Sequence, residues 1–396
     1  METIAHLGHL GDGLTASGLA VPGALPGETV SPEPPHSRLS DSPERQAAPC
    51  RHFGSCGGCT LQHASDALVA SWKADLVRQA LAAHGVRGEA RTVFTAPPGS
   101  RRRAVFSGRR TKKTVEIGFH MRRSDRIVGV GDCRVIRPAL RAALPLLGEL
   151  TRVLASRSSV LRLTVTELRG GLDVAITGAK PLDSRMRERV APLVAEAGLV
   201  RLSVDGERLY RDGAAEIPFG PARVTPPPGA FLQAVEAAEV VIAEAVLAHI
   251  VGATHVLDLY AGCGAFALRA AAFAEVHAVE AEAAMLDALD AGWRGASGLR
   301  RVTTDVRNLA RRPLVAAELA RFDAVIIDPP RAGARTQCEA LAAAGPTRIA
   351  AVSCNPQTFA RDAAILVGAG YTMGPVAVID QFRWSHHVEL VAGFTR

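Results

Sequence analysis

The chain of 396 residues contains no run of about 18 uninterrupted apolar residues, so nothing in it reads as a membrane-spanning helix. Its opening Met-Glu-Thr-Ile-Ala-His-Leu lacks the basic and then apolar pattern of a secretory leader. No internal repeat is present, which excludes a solenoid or propeller. Cysteine is sparse and odd in number, seven in all. A reducing, cytoplasmic setting is therefore expected, where clustered thiols serve metals or catalysis rather than disulfides. Acidic residues are outnumbered, 39 against 46 basic ones, giving a formal charge of +7. That balance favours a polyanionic partner, although a merely basic globular protein would share it. Neither a membrane nor an obligate protein partner is implied. Length suits two or three domains, and 48% hydrophobic with 21% charged residues is ordinary for globular chains.

Composition divides the chain. Residues 1–30 are rich in glycine with short apolar pieces, which suits a small β module with tight turns. Residues 31–49 read as a linker, followed by Cys50-Arg51-His52-Phe53-Gly54-Ser55-Cys56-Gly57-Gly58-Cys59. Helical periodicity covers 66–84, and from 91 to about 225 the pattern is short and alternating, an α+β segment. There, Leu161–Thr166 and Leu172–Thr177 are expected to pair around Gly170-Gly171. Pro226-Pro227-Pro228-Gly229 marks a boundary. Beyond it, a helix at 232–250 precedes expected strands at 255–260, 276–280, 301–304, 323–328, 348–353, 374–380 and 387–394, the rhythm of a doubly wound α/β sheet. Three units follow: 1–45, 46–225 and 226–396. The stretch 101–137 holds most of the basic surplus, with Phe106 and Phe119 among the arginines. Nucleic acid suits such an array, and so does a solvated charged face.

The chemistry concentrates at strand ends. Cys354 lies between the apolar run Ile349–Val352 and a helix start at Pro356, hence at the carboxyl end of a strand, where open α/β sheets bind ligands. A thiolate there would gain from the helix N-terminus, while a buried structural cysteine is the plainer reading. Gly262 and Gly264 follow the strand that reaches Asp258, but the third glycine of a dinucleotide fingerprint is missing. Glu280 ends the next strand, placed for a ribose diol, and Asp305 ends the third, placed for an adenine amino group. A glycine turn and two acids on successive strands resemble a class I S-adenosylmethionine methyltransferase (Rossmann-like).

Asp328-Pro329-Pro330-Arg331-Ala332-Gly333, Ser353-Cys354-Asn355-Pro356-Gln357-Thr358 and Asp380-Gln381-Phe382-Arg383-Trp384-Ser385-His386-His387-Val388-Glu389 together resemble the RNA uracil-5-methyltransferases. Gly229-Ala230-Phe231-Leu232-Gln233 is similar to a further segment of that family. The resemblance implies Cys354 as nucleophile, Glu389 as general base, and a methyl-donor site of Gln233, Tyr260, Ala265, Glu280, Asp305 and Asp328. It implies S-adenosylmethionine as cofactor and RNA as partner. Four cysteines at such spacing could hold zinc or iron–sulfur, and Cys56-Gly57-Gly58-Cys59 alone could be a redox pair, though no βαβ unit surrounds it. The family's ribosomal-RNA branch implies that Cys50, Cys56, Cys59 and Cys133 carry a four-iron, four-sulfur (4Fe-4S) cluster, with 23S ribosomal RNA as substrate. It also implies that residues around Val21–Glu28 are the end of a shortened TRAM domain. Two departures stand out. Phe382-Arg383-Trp384-Ser385 replaces Phe-Pro-x-Thr, which is expected to loosen the turn, and Ala265 stands where a larger polar residue is often found. Rival readings are a transfer-RNA uracil methyltransferase, a cytosine-5-methyltransferase, whose Pro-Cys signature is absent, and a non-catalytic RNA-binding ribosome-assembly protein. Cys263 and Cys338 are expected to be packing residues.

Overall fold

The computed structural model describes residues 1–195 and 197–396. Residues 2–30 form an antiparallel sheet of four short strands: Glu2–Leu7, Gly13–Thr15, Ala20–Val21 and Thr29–Val30. Its own interior is only Ile4, Val21, Ala24 and Val30. So small a core stabilises little alone. Leu7 and Leu25 pack instead with Leu61, Val69 and Trp72, which anchors the module to the helix Asp66–Ala83.

The central sheet runs, in spatial order, Glu207–Arg211, Leu199–Val204, Gly171–Thr177, Val160–Leu168, Arg103–Arg110, Val115–His120 and Ile127–Val128. The expected hairpin is there, with Leu168 opposite Gly171. Helices Leu144–Leu154 and Ser184–Ala195 bury Leu147, Leu150, Met186 and Val190 against one face. The basic stretch divides in two. Arg102 is buried, donating to Glu239 at 2.6 Å, and Arg103 donates to Ala230 O at 3.2 Å. These arginines tie the central sheet to the C-terminal unit. Phe106 is wholly buried and stacks on Phe119 at 5.1 Å. It belongs to the core, not to an RNA-stacking face. Lys112, Lys113, Arg122, Arg123, Arg126 and Arg134 remain exposed.

The C-terminal sheet contains β1 (His255–Leu259), β2 (Glu275–Glu280), β3 (Val302–Val306), β4 (Ala324–Ile327), β5 (Arg348–Ser353), β6 (Val376–Asp380) and β7 (Leu390–Thr395). Their spatial order is β3-β2-β1-β4-β5-β7-β6, with β1 to β5 parallel and β7 antiparallel to both neighbours. Alternate residues of β1, Val256 against Leu257 and Leu259, enter separate cores on the two faces. Buried on both sides, such strands read as continuous apolar runs. Order reverses beside β1, so the carboxyl ends of β1 and β4 flank the crevice where such sheets bind ligands.

Three boundaries differ from expectation. The helix expected from 232 begins at Glu236, after an irregular segment whose Ala234 N–H is held by a side chain. Glu389 lies just before β7 rather than within it. Strand Ala90–Thr95, expected in the central unit, pairs in parallel with β6, and helix Asp66–Ala83 packs on helix Pro356–Gly368. The chain thus contributes to the C-terminal sheet before it builds the central one.

Candidate active site

Cys354 follows β5 directly and lines a pocket of about 220 Å³ with Arg331, Asn355, Gln357, His386, His387 and, from the N-terminal module, His9 and Leu10. Its thiol is pushed up, first by burial, then by the charges of Glu389 and Asp328, with Arg331 opposing them. The expected help from the helix N-terminus does not dominate. Asn355 caps that helix itself, accepting from Gln357 N–H at 3.1 Å, and burial is the largest influence on the thiol. Arg331 is held at the pocket by His387, with Nη2 at 2.8 Å from Nδ1.

Glu389 is buried, and its carboxyl is raised by burial and then by Asp328, against a hydrogen bond from Gln381 and the charge of Arg331. Asp328, after β4, is raised by burial as well. Two carboxyls within electrostatic reach of each other titrate as a pair, so the site retains a proton above the usual carboxylate range. Gln381 Nε2 donates to Glu389 Oε2 at 2.9 Å and to Gln233 Oε1 at 2.5 Å. Gln381 had no role in the sequence reading. Its position beside an acid-bearing motif was the available signal.

The turn after β1 is built for close approach. Gly262 has φ +54° and Gly264 φ +89°, and a Cβ at Gly264 would meet Leu289 Cγ at 2.7 Å. Tyr260 adopts φ +63°, unusual for a bulky residue, and its hydroxyl is pushed up to about 12, chiefly by burial. Glu280 receives the Gly262 N–H at 3.1 Å on one oxygen, and those of Ala281 at 2.6 Å and Glu282 at 3.1 Å on the other. Ala265 closes the turn and accepts from Arg269 at 2.5 Å. Asp305, opposite Val279, has Arg307 at 3.7 Å and Arg312 at 4.0 Å. Sequence reasoning gave no role to Asp258. It is fully buried, only the Ala267 N–H faces its carboxyl, and burial with Asp328 and Glu280 nearby raises it well above the usual range. The close-approach turn at Gly262 and Gly264, with the partly exposed Glu280 carboxylate beside it, fits a polar ligand such as the methyl donor. Cys263 and Cys338 are buried, as expected.

Cys50, Cys56, Cys59 and Cys133 are free thiols in one neighbourhood. Burial pushes Cys56 up and Cys59 up to about 12, and each feels the other thiols. Among the described residues, no three His, Cys, Asp or Glu are grouped to hold a single metal ion. The sulfurs nevertheless face donors. Val135 N–H reaches Cys133 at 3.5 Å, Gly58 N–H faces Cys56, and the Gln62 amide faces Cys59 while accepting from Cys50 N–H at 3.2 Å. Arg101 lies within electrostatic reach of Cys59 and Cys133. Such donors favour thiolates, the form that ligates iron, but burial outweighs them at Cys56 and Cys59. Cys56 and Cys133 share a cavity of about 280 Å³ with Arg101, Phe382, His386 and His387. The turn expected to be loose is pinned there. Trp384 O accepts from Thr60 N–H at 2.7 Å and Leu61 N–H at 3.0 Å, and Arg383 donates to Asp66 at 2.7 Å and Ala96 O at 3.1 Å. These bonds replace the rigidity of the missing proline.

Residues 229–394 match the family model described as tRNA (Uracil-5-)-methyltransferase. An uncharacterised RNA methyltransferase of Rhizobium meliloti (strain 1021) is 46% identical, covering 98% of both chains. The 23S rRNA (uracil(1939)-C(5))-methyltransferase of Pseudomonas putida is 34% identical over 94% of this chain and 88% of its own. The fold matches that of Pyrococcus abyssi tRNA (uracil-54, C5)-methyltransferase, solved in complex with S-adenosyl-L-homocysteine, with a TM-score of 0.77 and 22% identity, over 100% of this chain and 99% of that one. Sequence and fold agree, and this chain belongs to the RNA uracil-5-methyltransferase family.

Proposed function

We propose that this protein transfers a methyl group to carbon 5 of a uridine in 23S ribosomal RNA, through a transient bond between Cys354 and the uracil ring. The observation that carries the reading is that Cys354 and Arg331 line one pocket while the buried carboxyls of Glu389 and Asp328 lie within electrostatic reach of the thiol. A neutral uracil is a poor nucleophile at carbon 5. In this reading Cys354 gives its proton to solvent as Sγ bonds to carbon 6, which leaves Glu389 ionised for its later role as base. The ring electrons move toward the carbonyl oxygen, and carbon 5 becomes nucleophilic. Bound S-adenosylmethionine supplies the electrophilic methyl group, and Gln233, Tyr260, Ala265, Glu280, Asp305 and Asp328 would hold it. Once carbon 5 carries the methyl, Glu389 takes the carbon-5 proton. The carbon 5–carbon 6 double bond re-forms, and Cys354 leaves as thiolate. Asp328 orients the uracil, and Arg331 offsets the negative charge gathered by two carboxylates and the thiolate.

The target base must leave its stack to reach Cys354, so the substrate is a loop or an extruded nucleotide. The exposed lysines and arginines of 112–134 would hold the phosphates around it. Ribosomal rather than transfer RNA is favoured by the relation to the Pseudomonas putida enzyme and by the four cysteines. Cys50, Cys56, Cys59 and Cys133 would carry a 4Fe-4S cluster, structural or RNA-positioning, since the methyl transfer needs no electron carrier. The units 1–45, 46–225 and 226–396 would then be a shortened TRAM-like module, a cluster and RNA-binding unit, and the transferase. The test is mapping 5-methyluridine in ribosomal and transfer RNA from cells lacking the gene. Loss from 23S RNA alone supports the reading. Loss from transfer RNA alone moves the substrate, and no loss from either overturns it.

A further inference from the structure

Gln381, Gln233 and Glu389 form a buried chain of hydrogen bonds whose direction is fixed at one end. Ala234 N–H donates to Gln381 Oε1 at 3.0 Å. A backbone amide can only donate, so the Gln381 oxygen must face it and its NH2 must face the other way. That NH2 has two protons, and both are used: one on Gln233 Oε1 at 2.5 Å, the other on Glu389 Oε2 at 2.9 Å. All three side chains are more than nine-tenths buried. Two consequences follow. Gln233 has its oxygen occupied, so its free end is an NH2 group able to meet only an acceptor. Glu389 has one oxygen held, and the other is free to take a proton.

We infer that Gln381 is a positioning residue, which holds Glu389 ready as the base and fixes Gln233 as a donor toward the bound methyl donor. This rests on the function proposed above. A hydrogen bond donated to a carboxylate favours its ionised form. Around Glu389 the other charged or titratable groups are Asp328 after β4, Arg331 in the following loop and Cys354 after β5. Asp328 and burial push Glu389 toward its protonated form, and Gln381 and Arg331 push back. Gln381 is itself set by its neighbour. Asp380 is clamped by Lys73 at 2.6 Å, and the same Lys73 Nζ donates to Phe382 O at 3.2 Å, so the backbone is gripped on both sides of Gln381.

The experiment is the pH profile of kcat for Gln381→Met, an unbranched apolar side chain of similar length, read as tritium released from carbon-5-labelled uracil RNA. Loss of the donated bond lets the Glu389 carboxyl rise, so the ascending limb should move to higher pH by about one unit. At neutral pH kcat should fall about tenfold and recover in alkali, with a smaller rise in KM for the methyl donor. Gln381→Glu places a second negative charge beside Glu389 and should shift the limb the same way, so it serves if the methionine variant does not fold. A limb that coincides with wild type in either variant overturns the inference, as does an equal loss at every pH. If the wild-type protein itself releases no tritium, the proposed function fails instead.

Discussion

Cys354 and Glu389 are both neutral-leaning groups, and that decides how the pair behaves with pH. Each is buried beside other acids, so each prefers its proton in the resting protein. Activity should therefore climb as pH rises through the raised Glu389 carboxyl, rather than level off in the ordinary carboxylate range. Cys354→Ala should abolish turnover while the methyl donor still binds, as isothermal titration would show. Glu389→Gln should lower product formation by about 10²–10⁴-fold and leave RNA covalently attached, visible as a retarded band on a denaturing gel. Normal turnover by that variant would remove Glu389 from its role. Asp258 gives a stability test. Its carboxyl is raised in the folded state, so the fold binds a proton that the unfolded chain releases. Stability from this group is present below the unfolded pKa and is lost as pH rises. Asp258→Asn should flatten the fall in melting temperature as pH rises above the ordinary carboxylate range. At this scale the sequence was legible where a motif carried the residue, as for Cys354 and Asp328. Asp258 was not, because burial is a property of its surroundings and leaves no mark on spacing.

At the scale of elements, the end of β6 is where three parts of the chain meet. Lys73, on the helix Asp66–Ala83, is fully buried against Asp380. Removing one member of such a pair leaves an uncompensated buried charge. Lys73→Met should destabilise the fold by about 3–5 kcal/mol in chemical denaturation, and Lys73→Met with Asp380→Leu should restore most of it. If the single variant is as stable as wild type, the clamp contributes nothing. The strands of the C-terminal sheet were readable because buried parallel strands are short apolar runs separated by helical stretches. Strand Ala90–Thr95 was not assigned to that sheet, since its partner β6 lies far away in sequence and both look like any alternating strand. The surroundings of the turn at Phe382–Ser385 were not legible for a similar reason. Losing a proline removes local stiffness, but Thr60, Leu61, Asp66 and Ala96 supply hydrogen bonds that sequence could not show.

For the whole molecule, charge is sorted by depth. Arg102 and Arg103 face inward and join units, while Lys112, Lys113, Arg123 and Arg126 face solvent. Replacing those four exposed residues by alanine should weaken RNA binding and flatten its dependence on salt, by about 0.7 in the log–log slope for each phosphate that is no longer neutralised. A slope equal to wild type, measured by filter binding, would place the RNA elsewhere. Among the described residues no helix is long and apolar enough to cross a membrane. By itself the sequence determined the doubly wound sheet, the order of its motifs and the family, because periodicity and short chemical signatures are local. Only the tertiary structure decided which acids share a proton, which arginines are buried, and that Gln381 ties Gln233 to Glu389. Those depend on the dielectric and on distances between segments far apart in the chain, and no local pattern encodes them.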